Sequence, residues 1–259
     1  MDPMTDPSTE WWRALYDDAV ADLLLERVSR DEARACASAL ARMLALRPSA
    51  RVFDQCCGVG TYAVALAEAG YSVVGCDLTA GYVARTRAKA AEAGVSVDAH
   101  VADAFAFTPA APCDAALNLG TSFGYADDAR NAEMLRRAYE SLRPGGMYAL
   151  DFMNLPGVLR GFRAVVQEEL QRAEGALTLV RETRLDLAGG WMHKRWTWRD
   201  ADGAAVGAHD TTVRAYMPWE LAGCLRSVGF EVCGLHGSLQ GAPLELDSPR
   251  CVVLGRRPA

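Results

Sequence analysis

Residues 52–61 read VFDQCCGVGT, and this stretch decides the fold. An apolar run ending near Asp54 leads into a short turn with Gly58 and Gly60, and a helical pattern begins at Thr61. Glycine is needed where backbone approaches a ligand closely, because a Cβ would collide with it. The free N–H groups at the start of the next helix favour an anionic group. A strand, a glycine turn and a helix in this order predict a binding site for a nucleotide-like ligand.

The segments that follow alternate between apolar runs and helical patterns. Strands are predicted at 71–77 (YSVVGCD), 95–103 (VSVDAHVAD), 113–120 (CDAALNLG) and 147–154 (MYALDFMN), with helical patterns between them. This alternation indicates βαβ units and a mostly parallel sheet, and right-handed crossovers put helices on both faces. The runs at 230–237 and 250–257 add two closing strands.

Two other regions have different patterns. From Trp11 to about Glu26 the apolar residues recur at helical spacing, and a second helix is predicted from Asp31 to Leu46, capped by Ser29 or Asp31. We expect residues 1–9 to be frayed. From about Val165 to Ala215 the period changes to two, with Gly-Gly at 189–190 and Asp-Gly at 202–203 as turn signals, and Pro218 opens a last helix.

The resulting organisation has four parts. Residues 1–48 are expected to form an N-terminal helical lid, and residues 49–155 a cofactor-binding Rossmann-like core. Residues 156–216 form an antiparallel β-insert that caps the substrate, and residues 217–259 the closing helix and strands of the core.

Composition narrows the function. The chain has 259 residues, of which 51% are hydrophobic and 23% charged, as in ordinary globular proteins. The net charge of −6 argues against a general nucleic-acid or anionic-membrane surface. The N-terminus lacks a signal-peptide core, and no apolar run is long enough to span a membrane, so we expect a cytoplasmic protein. The eight cysteines include no C-x-x-C pair and no zinc spacing, and free buried thiols are expected, with no metal.

Three features favour one adenosyl sulfonium over a dinucleotide. Asp54 precedes the glycine turn, where its carboxylate would repel a pyrophosphate but attract an ammonium or a sulfonium. The run VADAF, at 101–105, supplies an acid, an N–H donor and an aromatic ring, which suit adenine. Asp77 is a single ribose acid, enough for one nucleoside.

The stretch from about Arg51 to Asn154 resembles class I S-adenosylmethionine-dependent methyltransferases, and its subtype is similar to small-molecule enzymes of the bacterial natural-product kind. The resemblance rests on the glycine turn, VADAF, CDAALNLGTSFGY and LRPGGMYALDF. It implies a doubly wound, mostly parallel seven-stranded α/β sheet with an antiparallel closing strand. It also implies S-adenosyl-L-methionine as cofactor and S-adenosyl-L-homocysteine as product.

The resemblance also implies roles for the cofactor residues. Asp54, Gly58 and Gly60 are expected to face the methionine end of the cofactor, and Asp77 its ribose. Asn118 and Leu119 are expected to line the sulfonium side. The adenine is expected to contact Leu78, Asp103, Ala104 and Phe105. Cys56 and Cys57 depart from many relatives, which leaves the fine geometry of the turn open.

The acceptor side is less defined. Tyr125, His209 and Tyr16 are the catalytic candidates, and the substrate contacts expected are Trp12, Phe123, Asn154, Arg214 and Tyr216. Each has a structural alternative: core packing for the aromatic residues, a satisfied core or surface histidine, and an ion pair for Arg214. A base is needed only if the nucleophile arrives protonated.

The sequence therefore predicts in-line methyl transfer to a nitrogen or oxygen of a small molecule, a bacterial secondary metabolite, by a monomer or homodimer. The alternatives are a C-methyltransferase, a nicotinamide-dependent oxidoreductase and a catalytically silent cofactor-binding protein.

Overall fold

The apolar runs pair into one seven-stranded sheet in a computed structural model that describes residues 10–172 and 175–259. Its strands are β1 (Arg51–Gln55), β2 (Ser72–Asp77), β3 (Val97–Val101), β4 (Cys113–Asn118), β5 (Leu142–Met153), β10 (Glu231–His236) and β11 (Arg250–Arg256). They lie in the order β10-β11-β5-β4-β1-β2-β3, and β11 runs antiparallel to the other six. The predicted sheet is thus confirmed.

Helices cover both faces of this sheet because its strands are apolar on both sides. In β1, Val52 packs into one buried cluster and Phe53 into the other, on the opposite face. The helices are α3 (Arg30–Met43), α4 (Thr61–Glu68), α5 (Ala80–Glu92), α6 (Asp128–Ser141), α7 (Leu155–Arg160) and α8 (Pro218–Ser227). Ser29 caps α3 as predicted, but that helix ends at Met43 rather than Leu46, because Ala45 has a φ of +49°.

The period-two region forms a separate antiparallel sheet, as predicted. Its strands are β6 (Val165–Arg172), β7 (Gly175–Asp186), β8 (Trp191–Arg199) and β9 (Ala205–Arg214). The two predicted turns connect β7 to β8 and β8 to β9. Leu179, Trp198 and Val213 share a buried cluster with Trp11, so one face of this β-insert packs toward the N-terminal part of the chain.

The single helix predicted from Trp11 to Glu26 is wrong. The structure has α1 (Trp12–Leu15), α2 (Asp18–Val20) and a π-helical turn (Ala21–Leu25). The break lies at Asp17, whose backbone is extended and whose side chain accepts the Val20 N–H, because aspartate caps a helix better than it continues one. Residues 10–28 are called the N-terminal segment below. Residues 1–9, expected to be frayed, lie outside the described residues.

The described residues contain neither a candidate membrane-spanning helix nor a candidate metal site. In the ranges 10–172 and 175–259, no helix has both the length and the hydropathy needed to cross a bilayer. Over the same residues, no group of three or more His, Cys, Asp or Glu side chains could hold a metal ion. All eight cysteines are free thiols, and five of them are buried.

Candidate functional site

A cavity of about 350 Å³ opens at the carboxyl ends of β1, β2 and β4, which is where open α/β sheets bind their ligands. Its volume falls in the range typical of small-molecule sites. Two of its walls differ in chemistry. The acidic wall consists of Asp54, Asp77 and Asp103, and the aromatic wall of Trp12, Tyr16 and Tyr125.

The glycine turn brings backbone to the cavity without side chains. Cys56, Gly58 and Gly60 all have positive φ values, so the chain reverses within five residues of β1. Gly58 lines the cavity, and no atom lies within 4 Å of the position that a Cβ would occupy there. Gly60 instead packs against α5, where a Cβ would lie 2.7 Å from the Thr86 side chain.

Asp77 joins the second strand to the glycine turn. Its carboxylate accepts the Gly58 N–H through Oδ2 and the Thr79 N–H through Oδ1, each at 2.9 Å. Burial raises the pKa of Asp77, and these N–H donors oppose that shift. Each carboxylate oxygen keeps a second lone pair, so the group can accept two more hydrogen bonds from a ligand diol.

Asp54 is buried beside Asp77, and the described residues supply no hydrogen-bond donor to its carboxylate. Burial, followed by the charge of Asp77, raises the pKa of Asp54 to about 7. A cation in the cavity would favour the ionised form again. The open cradle at Gly58 and this unsatisfied carboxylate fit the ammonium end of an amino-acid-bearing ligand.

The third acidic residue belongs to a tight turn after β3, residues Asp103–Phe105, called the Asp103 turn below. The Asp103 carboxylate accepts the Phe105 N–H at 3.0 Å, which fixes the orientation of the turn. All three residues of the turn line the cavity, and the Phe105 ring lies 6.0 Å from that of Trp12. The turn therefore offers an acceptor, backbone and an aromatic face, as adenine requires.

The aromatic wall closes the other side of the cavity. The hydroxyl groups of Tyr16 and Tyr125 lie 2.5 Å apart, and Trp12 packs against the Tyr125 ring. Burial raises the pKa of Tyr16 to about 12 and that of Tyr125 well above its ordinary value. Both phenols are therefore protonated at neutral pH, so they can orient a ligand by hydrogen bonds but do not act as ionised bases.

Two expected cofactor residues do not line the cavity. Gly60 lies behind the turn, as described above. Asn118 is fully buried at the end of β4, where its amide donates to Gln55 Oε1 at 3.2 Å and contacts Met134 Sδ. Gln55 in turn donates to the carbonyls of Ala104 and Met134. The structure thus gives Asn118 contacts that support the cavity from behind, while Leu78 and Leu119 do line it.

Three residues expected to contact the substrate are engaged elsewhere. Arg214 pairs with Asp128 at 3.1 Å and donates to the Gly190 carbonyl. Tyr216 donates to Asp128 at 2.7 Å, and Phe123 stacks on the Tyr216 ring at 5.5 Å. The three side chains join the β-insert to the start of α6, and none of them lines the cavity.

His209 and Asn154 also lie away from the cavity. His209 faces Trp196 across β8 and β9. The Asn154 amide donates to the carbonyls of Glu245, Leu246 and Ser248, at 3.0–3.1 Å, which anchors the loop before β11.

Sequence reasoning missed other lining residues. The π-helical turn contributes Leu24 and Leu25, and α4 and α5 contribute Tyr62 and Tyr82. Tyr62 follows the glycine turn directly, which was a usable signal. No sequence signal indicated Leu24 and Leu25, because the continuous helix predicted there would have pointed their side chains in other directions.

Comparison with known proteins agrees with this geometry. Residues 52–146 match the family model described as a methyltransferase domain. A relative, demethylmenaquinone methyltransferase from Parafrankia sp., is 28% identical over 211 residues, which are 66% of this chain and 81% of the relative.

Solved structures share the fold. The CcbJ methyltransferase from Streptomyces caelestis has a TM-score of 0.78 at 19% identity, with 98% of this chain and 100% of that chain covered. The sugar N-methyltransferase KedS8 from Streptoalloteichus sp. has a TM-score of 0.71 at 23% identity, with 99% of each chain covered. At such identities the likeness shows the fold alone.

Proposed function

We propose that this chain, a methyltransferase that uses S-adenosyl-L-methionine, methylates a nitrogen or oxygen atom of a small molecule. An amine of a bacterial natural product, or of the sugar that decorates one, is the first candidate. The observation that carries this choice is the chemistry of the cavity lining: acidic and aromatic side chains, with no Lys, Arg, His or Glu among the lining residues described.

The acidic wall suits the cofactor. In this proposal Asp77 holds the ribose hydroxyls, the Asp103 turn holds the adenine, and Asp54 with Gly58 receives the methionine end. The bound cofactor supplies an electrophilic methyl group. Leu119 and Gly120 then border the reacting centre, because they follow β4 at the same edge of the sheet.

The aromatic wall suits an amine acceptor. An amine loses its proton to solvent before it enters, so it needs no basic side chain, whereas a hydroxyl group does. The protonated phenols of Tyr16 and Tyr125 can orient the neutral nitrogen, and the rings of the wall favour the positive charge that forms on this nitrogen as it takes the methyl group. Two similar proteins support the amine: one is described as a sugar N-methyltransferase, another as an amino pentose methyltransferase from Micromonospora echinaspora.

The remaining organisation follows from the same proposal. The N-terminal segment covers the cavity, and the β-insert holds this cover, because Trp11 donates to the Thr212 carbonyl at 3.0 Å and Arg27 pairs with Glu168 at 2.8 Å. A covered cavity and a net charge of −6 suit a compact acceptor in the cytoplasm better than a nucleic acid or a membrane.

The test is methyl transfer from methyl-labelled S-adenosyl-L-methionine to a panel of amino sugars and matched hydroxyl sugars. We expect label on the nitrogen of an amino sugar and stoichiometric S-adenosyl-L-homocysteine. Labelling of carbon, or turnover only with the hydroxyl set, would contradict the amine assignment. The Asp77→Ala variant, which should lose most of its affinity for the cofactor, is the background control.

A further inference from the structure

A charged cluster joins the N-terminal segment to the Asp103 turn from outside the cavity. Arg130, in the first turn of α6, bonds the Glu10 carboxylate, and Arg13 bonds the same carboxylate. The contact between Glu10 and Arg130 is called the Glu10–Arg130 bridge below. These hydrogen bonds lower the pKa of Glu10, so the carboxylate is ionised at neutral pH.

The Arg130 guanidinium also contacts one aromatic ring of the N-terminal segment and one of the Asp103 turn. Arg130 Cζ lies 4.5 Å from the centre of the Phe105 ring and 5.5 Å from that of Trp12. Both rings line the cavity, whereas Arg130 does not. A guanidinium stacked on aromatic faces is attracted by the ring quadrupole, and its planar shape suits this geometry.

Asp103 lies within reach of the same cations. Its Oδ2 is 3.4 Å from Arg13 Nη2 and 3.9 Å from Arg130 Nη2, while its Oδ1 accepts the Phe105 N–H. One arginine thus faces a carboxylate and a ring of the N-terminal segment, and a carboxylate and a ring of the Asp103 turn. Arg13, which belongs to the N-terminal segment itself, adds a direct link to the Asp103 carboxylate.

We propose that Arg130 is a positioning residue for cofactor retention. It holds the N-terminal segment against the Asp103 turn, so that Trp12, Phe105 and the Asp103 carboxylate keep the spacing that an adenine needs. Release of the cofactor then requires the Glu10–Arg130 bridge to open. This inference concerns retention of the cofactor and not the choice of acceptor.

The exposure of the bridge makes retention sensitive to salt. The Arg130 side chain is 36% exposed and that of Glu10 30% exposed, so mobile ions reach both. Between about 0.1 M and about 1 M salt the screening length falls from about 10 Å to about 3 Å. A cofactor held through this bridge is therefore released faster at high salt.

The experiment measures the dissociation rate of S-adenosyl-L-homocysteine by stopped-flow tryptophan fluorescence, which the N-terminal tryptophans report. We expect Arg130→Gln and Glu10→Gln each to raise the rate about fivefold at low salt, the size expected for one exposed ion pair with a stacked ring. We also expect both to lose the salt dependence, and the double variant to be no faster than either single variant. Arg130→Lys, which keeps the charge but not the planar stacking, should fall between.

Arg136→Gln is the matched control, because Arg136 lies on the same helix and pairs with Glu133 away from the cavity. It should leave the rate and its salt dependence unchanged. If Arg130→Gln fails to fold, Glu10→Gln tests the same bridge from the side of the N-terminal segment. Rates within twofold of wild type, or effects of the two variants that multiply, would overturn the inference alone. A wild-type protein that binds no S-adenosyl-L-homocysteine would overturn the cofactor assignment with it.

Discussion

The acidic wall and the aromatic wall face each other across one cavity, yet they are assembled differently. The acidic wall comes from the ends of three consecutive strands, each followed by a turn of a few residues, and its main bonds, such as Gly58 to Asp77, join neighbouring βα units. The aromatic wall unites Tyr16 and Tyr125, which are 109 residues apart in the chain. On the proposed assignment, the cofactor is therefore held by local geometry and the acceptor by long-range packing.

The largest expected effect is at the centre of the acidic wall. Asp77→Ala removes the ribose acceptor and both backbone bonds, so the affinity for S-adenosyl-L-homocysteine should fall by at least about 100-fold, since hydrogen bonds to a charged group contribute about 1.5–3 kcal/mol each. Isothermal titration calorimetry measures it, with Asp77→Asn as the milder control. Affinity within threefold of wild type would show that another group holds the ligand.

The second prediction tests whether Gly60, in the turn behind the acidic wall, must be glycine for steric reasons. Gly60→Ala combines a φ of +80° with a Cβ only 2.7 Å from Thr86, so the free energy of unfolding should fall by about 2–3 kcal/mol. Gly70→Ala is the control, because Gly70 has a similar φ of +89° with no atom within 4 Å, and it should lose about 1 kcal/mol. Equal losses in urea unfolding would remove the close approach to α5 from the account.

The pH dependence of binding probes the charge of the acidic wall. With the pKa of Asp54 near 7 in the free protein, the ammonium group of S-adenosyl-L-homocysteine must first displace a proton from Asp54 at pH 6, so the affinity for this ligand should rise about tenfold from pH 6 to pH 8. The stability of the free protein should change in the opposite sense. The folded-state pKa lies above the unfolded value, so the contribution is present below about pH 4 and is lost as pH rises through 7.

Asp54→Asn is the control for the pH dependence of both binding and stability, because asparagine keeps the shape of the side chain and does not titrate. Its S-adenosyl-L-homocysteine affinity should be flat over the same pH range in calorimetry. A wild-type affinity that is equally flat would mean that Asp54 does not titrate near 7 or does not sense the ligand charge.

The smallest effect belongs to the aromatic wall. Tyr125→Phe removes one hydroxyl, so kcat/KM for the acceptor found in the labelling assay should fall about fivefold, as expected for one hydrogen bond of about 1 kcal/mol. The affinity for S-adenosyl-L-homocysteine should change less than twofold. If both fell together, the two walls would not be separable in function, and the comparison would fail.

The contrast also explains what the sequence could predict. The sequence could indicate Asp54, Gly58, Asp77 and the Asp103 turn because each lies at the end of an apolar strand or just after it, and parallel strands end at one edge of the sheet. The break at Asp17 was missed because apolar spacing continues across it, while a side-chain bond to the Val20 N–H stops the helix.

Long-range partners explain the remaining differences. Arg214 was a reasonable ligand for a carboxylate, and its partner turned out to be Asp128, which is 86 residues away. Asn118 is the last residue of the strand that Leu119 follows, but its amide donates to Gln55 on the adjacent strand. Residue type and spacing indicate what a side chain can bind, and only the packed chain decides which partner it finds.

The central claim is that the acidic wall holds an adenosyl group, and a crystal structure with S-adenosyl-L-homocysteine tests it most directly. We expect the ribose hydroxyls to donate to the Asp77 carboxylate, the adenine to lie between Asp103 and Phe105, and the homocysteine amine to lie beside Asp54. A ligand bound elsewhere, or bound in this cavity with Asp77 outside hydrogen-bond distance of the ribose, would contradict the claim.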